Sequence, residues 1–206
     1  MQTRELLFTP TEAAVLTRLS AKAVNNAIDK KTISTVPGRR EGRATRLLDL
    51  RALISLVLEH RLADRLVPEM RRKVFDALAI AARNRISLDG GLLTIDLSEP
   101  RQELAASLRR LRRARALVMS DPDILGGDPV FRGTRVPVHL IATLLGQGST
   151  EVELLDAYPR LTAEMLQLAP IYASAYPLRG RPRRHPWHDQ SPVRSTRRKL
   201  ATIGAG

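Results

Sequence analysis

The 206-residue chain has no cysteine. That absence removes disulfide frameworks, thiolate zinc sites and cysteine nucleophiles together, and it suits a reducing compartment. Long apolar runs are missing too. The best stretch, residues 52–58, is far shorter than the roughly 20 residues a membrane-spanning helix needs. Residues 1–10 hold no signal-peptide core, so the expectation is a soluble cytoplasmic protein with no membrane partner. Histidine is scarce: His60, His139, His185 and His188 fall in no metalloprotease spacing, and His185-Pro-Trp-His188 has no further strong ligand nearby. There is no Walker loop and no Gly-x-Gly-x-x-Gly, and Gly126-Gly127 precedes a hairpin instead of a phosphate-binding helix. No catalytic constellation, metal site or cofactor is expected, which argues against an enzyme.

Lysine is the other shortage, and it is instructive because the chain is basic. Lys and Arg total 34 against 21 Asp and Glu, a net charge of +13, yet only five are lysine and 29 are arginine. Such a balance points to a polyanionic partner, nucleic acid first, and arginine suits forked contacts with phosphate or carboxylate. Codon bias in a GC-rich genome explains the arginine excess equally well. The charge is unevenly placed: residues 1–60 carry +4, 61–119 carry +6, 120–176 carry −4 and 177–206 carry +7, which sum to +13.

The amino-terminal third reads as a DNA-binding module. Thr9-Pro10-Thr11-Glu12 has the form of a capping box with proline at the first helical position, so a short helix runs to about Leu16. Ser20 then caps a second helix to about Lys30, with Val24, Ala27 and Ile28 inward and Lys22, Asn25, Asn26 and Asp29 outward. Lys and paired Asn on such a helix reach base edges and phosphates in a major groove, although an ordinary helical hairpin has the same pattern. Extended runs at 32–36 and 45–48 flank a turn-rich loop, making a wing whose Arg39, Arg40, Arg43 and Arg46 lie along phosphates or enter a minor groove. Asp49 caps a third helix to about Arg61. Helix, turn, helix, wing, helix resembles the amino-terminal module of winged regulators of the MerR and excisionase kind.

The rest divides into a connecting region, a second unit and a tail. Over 63–119 the pattern predicts a helix from Pro68 to about Asn84 with Met70, Val74, Phe75, Leu78 and Ala82 inward, a strand over 92–97, and a basic helix over 101–118. That last helix is either a solvated face or a second phosphate contact. From Asp121 the chain is acidic; residues 124–138 read as a compact hairpin, followed by a helix over 139–145, one capped by Thr150 with Glu153, and one capped by Thr162. Helix-turn-helix units that hold DNA are seldom acidic, so residues 120–176 are expected to dimerise while residues 1–62 read DNA. Arg135 is expected to tie the hairpin to the helices through a carboxylate. The whole is expected to be mainly α with small β-hairpins, an α+β class.

Gly126, Gly127, Pro129, Gly133, Thr134, Arg135, Pro137 and Val138, with Gly148, Tyr158, Pro159, Leu161 and Thr162, match the pattern of a bacterial family of small antitoxin-like proteins, long catalogued as a domain of unknown function. With a winged module in front and a basic tail behind, the chain resembles a larger, two-domain VapB-type antitoxin. That resemblance implies a VapC-like PIN-domain ribonuclease toxin as partner, a homodimer, and repression of the protein's own operon through double-stranded operator DNA. PIN-type toxins hold metal in a ring of carboxylates, which an arginine can occupy in forked fashion. Arg179, Arg181, Arg183, Arg184, Arg194, Arg197 and Arg198 of the tail are the candidates, with Trp187 as apolar anchor. The tail, with four prolines among residues 177–206, is expected to be disordered when free and, at roughly 100 Å extended, to wrap a small partner. A stand-alone transcription regulator and a basic RNA-binding interaction module are the alternatives.

Overall fold

Local capping chemistry fixes most helix starts in the computed structural model, which describes residues 6–40, 42–80 and 84–178. Helix α1 (Pro10–Thr17) opens on Thr9, whose hydroxyl accepts from the Glu12 N–H while Glu12 Oε2 accepts from the Thr9 N–H at 2.8 Å. The Ser20 hydroxyl accepts from the Ala23 N–H at the head of α2 (Ala21–Asp29), and Asp49 accepts from the Ala52 N–H at the head of α3 (Leu50–Leu62). Val24 and Ile28 turn inward on α2 and pack with Leu16, Leu48 and Leu53.

The wing is displaced from where propensity puts it. Its strands are β1 (Val36–Arg40) and β2 (Arg43–Leu47), antiparallel, with Arg40 opposite Arg43 across a tight turn containing Gly42 at φ 76°. The expected strand at 32–36 is mostly the exit from α2 instead: Thr32 donates both its N–H and its hydroxyl back to the Ala27 carbonyl. Phe8 and Leu48 exchange two 2.8 Å backbone hydrogen bonds, so the amino-terminal segment closes the base of the hairpin.

Helix α4 (Pro68–Ile80) ends before the expected Asn84, and Ala82 lies outside the described residues. Arg85–Leu88 is a strand, β3, that the helical pattern conceals; it pairs with β4 (Leu93–Asp96), shorter than the expected 92–97. Helix α5 (Ser98–Ala116) starts three residues early because Pro100 sits in its first turn, where a missing N–H costs nothing. It stops at Ala116 because Val118–Met119, β5, pairs with Val130–Phe131, β6. The segment 124–138 closes on itself through the Val130–Pro137 bridge, with the Phe131 N–H bonded to the Val136 carbonyl and the Val138 N–H to the Pro129 carbonyl, and β6 also pairs backward to β5. Helices α6 (Val138–Gly146), α7 (Glu151–Ala157) and α8 (Ala163–Ala175) follow, the last two capped by Thr150 and Thr162 as the spacing predicts.

The result is an α+β fold in which, among the described residues, β structure is three two-stranded antiparallel sheets. Two apolar clusters form its interior. One joins α1 to α5; the other gathers Val118, Phe131, Val138, Ile141, Leu154, Leu161, Leu166 and Ala169. Helix α8 spans both, since Leu166 and Ala169 belong to the second while Ala175 belongs to the first, and it packs on α1, α5 and α6. Among the described residues no helix is long and apolar enough to cross a membrane.

Candidate nucleic-acid interface

Lys22, Asn25 and Asn26 are exposed along the outer face of α2, opposite buried Val24 and Ile28. The fourth outward residue, Asp29, does not stand free: Arg46 of β2 donates to its Oδ1 at 2.8 Å. That ion pair neutralises the acid at the end of the helix and fixes the wing beside it. Register decides which wing arginines join this surface. Residues directly opposite in an antiparallel pair share a face, and successive residues alternate. Pro37 is opposite Arg46 and Arg39 is opposite Ala44, so Arg39 and Arg46 lie on the side next to α2. Arg40 lies on the other side, where its guanidinium donates to the Leu7 carbonyl at 2.8 Å. Arg43 faces Arg40 across the turn in backbone register. The sequence places all four arginines in one cluster; the structure sets Arg39 and Arg46 on one face of the hairpin and Arg40 on the other.

The glycine-rich pattern of the second unit is a turn scaffold. Gly126, Gly127 and Gly133 take φ of 66°, 88° and 78°, where a Cβ is disfavoured. The Thr134 hydroxyl donates to the Phe131 carbonyl at 2.9 Å and accepts from the Val136 N–H at 3.1 Å, holding the turn between them. Pro129 offers its carbonyl to the Val138 N–H, and Pro137 bridges Val130 and caps α6. Arg135 does not tie hairpin to helices: it is exposed, with no carboxylate partner among the described residues. Arg132 does that work by donating to the carbonyls of Ala116 and Val118, at 3.3 and 3.4 Å, across the end of α5.

Between the two units a polar junction lies under α1. Glu12, 7% exposed, accepts from the Tyr176 hydroxyl at 2.7 Å through Oε1 while Oε2 serves the helix cap. His139 Nε2 bonds the Tyr176 carbonyl at 2.8 Å, and the Tyr172 and Tyr176 rings lie 4.9 Å apart. Burial first, and the Glu12 carboxylate second, push the Tyr176 phenol above its ordinary range. A raised pKa contributes stability that is complete below the unfolded value, about 10, and is lost as pH rises toward the folded one. Tyr176→Phe is expected to cost about 1 to 2 kcal/mol at neutral pH, since Oε1 loses its donor, and to flatten the stability curve above pH about 10. Urea unfolding across pH 7 to 11 checks both.

A second tie joins α5 to α8. Arg113 grips Glu164 with two bonds of 2.6 and 2.8 Å, and this pairing holds the Glu164 carboxyl below its usual range. Its contribution exists above the unfolded carboxyl pKa and disappears as pH falls through the folded one. Glu164→Gln is therefore expected to remove one acid-sensitive component of stability, read as a shallower loss of Tm below pH 5. Among the described residues no group of three His, Asp or Glu is placed to hold a metal ion. The tail residues Arg179, Arg181, Arg183, Arg184, Trp187, Arg194, Arg197 and Arg198 lie outside the described residues.

A family model described as "Protein of unknown function (DUF433)" matches residues 118–173, the span from β5 through most of α8 that contains the second apolar cluster. The chain is 36% identical over 185 residues to the uncharacterized protein y4eO of Sinorhizobium fredii (strain NBRC 101917 / NGR234), an alignment covering 84% of this chain and 82% of that protein. Among solved structures it is similar to a DUF433 member protein from Anabaena variabilis ATCC 29413, at 32% identity over 38% of this chain and 77% of that one, with a TM-score of 0.29. It is also similar to Rv2018 from Mycobacterium tuberculosis, at 14% identity over 79% of this chain and 96% of that one, with a TM-score of 0.32.

Proposed function

This chain belongs to the family of the uncharacterized protein y4eO and carries a DUF433 unit, and we propose that it binds duplex DNA through its amino-terminal module and acts as the antitoxin of a toxin–antitoxin pair. One observation carries the DNA reading: Lys22, Asn25 and Asn26 are presented on a helix beside Arg39 and Arg46 of the wing, with the intervening acid Asp29 neutralised. The amides suit adenine edges in the major groove, and the arginines suit the flanking phosphates. Residues 120–176, at −4, repel a polyanion and are assigned to pairing two copies of the chain, which matches the symmetry of a palindromic operator.

The antitoxin half rests on the resemblance of the glycine-rich pattern and on the charge of the tail. Seven arginines in residues 179–198 can place guanidiniums among the metal-binding carboxylates of a PIN-type ribonuclease, excluding the metal without any chemistry by the inhibitor. Bound to its toxin, the protein represses the operon that encodes both.

The test has two arms. Anisotropy with duplex from upstream of the gene should give binding at least about a hundredfold tighter than to unrelated duplex or to RNA, with log K falling linearly with log salt concentration. Co-expression with the product of the adjacent gene should yield a silent complex that regains ribonuclease activity when residues 177–206 are removed. Tight operator binding with no co-purifying partner would leave a stand-alone regulator; equal affinity for RNA would sink the DNA assignment.

A further inference from the structure

The far side of the wing faces a recess of about 500 Å³ walled by the segment 6–8, the second half of α5 and Tyr176. Three guanidiniums converge on it from two elements: Arg40 from β1, and Arg112 and Arg115 from α5. The two α5 arginines are three residues apart and so share a side of that helix. None of the three has a carboxylate partner among the described residues, whereas their helical neighbour Arg113 is paired to Glu164 and Arg101 donates to Asn84. The recess contains one carboxylate, Glu12, and both its oxygens are already engaged by Thr9 and Tyr176. Arg40 is held in place by the Leu7 carbonyl, so one donor set is fixed before any ligand arrives.

Three guanidiniums against the single Glu12 carboxylate leave the concave site with an excess of positive charge that lowers its stability, and an anion with several oxygens relieves that cost. We propose that this recess is a binding site for a small phosphate-bearing anion, gripped by Arg40, Arg112 and Arg115, with Leu6, Leu7 and Leu108 offering apolar surface to the remainder of the ligand. The volume suits a small molecule. Register favours that ligand over the DNA backbone, because Arg40 lies on the opposite face of the hairpin from Arg39 and Arg46. Occupancy would pin the wing to α5, joining the DNA-reading module to the helix that leads into the DUF433 unit.

Inorganic phosphate and pyrophosphate are the probes, titrated against the full-length protein by thermal shift and calorimetry, with chloride at matched ionic strength as control. Saturable binding of pyrophosphate is expected, weakened at least about tenfold in Arg112→Ala/Arg115→Ala, which corresponds to losing a single charge-assisted bond. Arg110→Ala, on the same helix but outside the recess, should leave it unchanged. Arg40→Gln supplies an independent readout should the double variant fold poorly. No saturation beyond the chloride control, or equal binding by wild type and double variant, overturns the proposal. So does an unchanged pyrophosphate affinity together with a fall of about two in the salt slope of duplex binding, which would assign these arginines to DNA phosphates. None of the anion measurements requires DNA, so the site can fail or stand apart from the DNA reading.

Discussion

Arg39→Glu/Arg46→Glu is expected to weaken duplex binding by about two to four orders of magnitude near 0.15 M salt. Each arginine contributes a charge-assisted bond of roughly 1.5 to 3 kcal/mol, and about 1.4 kcal/mol is a factor of ten. With two phosphates no longer neutralised, the slope of log K against log salt should also fall by about 1.8. Reversing Arg46 has a further effect, because it releases Asp29 at the end of α2 and sets two carboxylates where one ion pair stood. The pattern should differ for Lys22→Ala/Asn25→Ala/Asn26→Ala. There the unspecific, salt-dependent part of binding survives, and discrimination between operator and unrelated duplex collapses by about 1 to 3 kcal/mol for each base that is no longer read. Anisotropy on both duplexes at four salt concentrations separates the two. An unchanged slope and affinity in the Arg39/Arg46 variant would remove the wing from the interface.

The difference between those two variants could not have been designed from the sequence, and the reason is physical. Helix starts were legible because a cap needs one hydroxyl or carboxylate at one spacing: Thr9 with Glu12, Ser20, Asp49, Thr150 with Glu153, and Thr162 all cap as their spacing predicts. The wing was not legible at the same resolution. Val36-Pro37-Gly38-Arg39-Arg40 contains few strand-forming residues, and its pairing is set by the turn at Gly42 and by the Phe8–Leu48 closure at its base. A one-residue change of register exchanges the two faces, so which arginines stand together is a property of the pairing and not of the spacing. Arg135 and Arg132 make the same point. The motif arginine has no carboxylate partner among the described residues, and its neighbour three positions earlier bonds the end of α5. The Glu12–Tyr176 hydrogen bond joins residues 164 positions apart, and no local pattern encodes it. That bond ties α1 to the residue that ends α8, and so links the amino-terminal module to the helix that closes the DUF433 unit.

Phe131→Ala is the substitution expected to cost the fold most, about 3 to 5 kcal/mol. Phe131 is 1% exposed and, among the described residues, the largest of the fully buried side chains, so its removal leaves a void that neighbours held by short strands and caps cannot refill. Its backbone is constrained as well: the N–H donates to the Val136 carbonyl, and its carbonyl accepts from the Thr134 N–H and hydroxyl, so the ring cannot be replaced by a local collapse of the turn. Against a typical total stability of about 5 to 15 kcal/mol, such a loss is a large share. Because α8 contributes to both apolar clusters, and the Tyr176–Glu12 and Arg113–Glu164 bonds cross between them, the variant should unfold in a single transition shifted to lower urea with its slope unchanged. Leu92→Ala supplies the contrast: Leu92 is 92% exposed at the tip of the β3–β4 hairpin, and its loss should move stability by no more than about 0.5 kcal/mol. Two resolved transitions in Phe131→Ala, with the amino-terminal one unmoved, would show that the DUF433 unit unfolds by itself and that α8 does not couple the clusters. A single shifted transition would mean that damage to the turn scaffold around Gly126, Gly133 and Thr134 reaches the amino-terminal helices through the same bonds that hold the two units together.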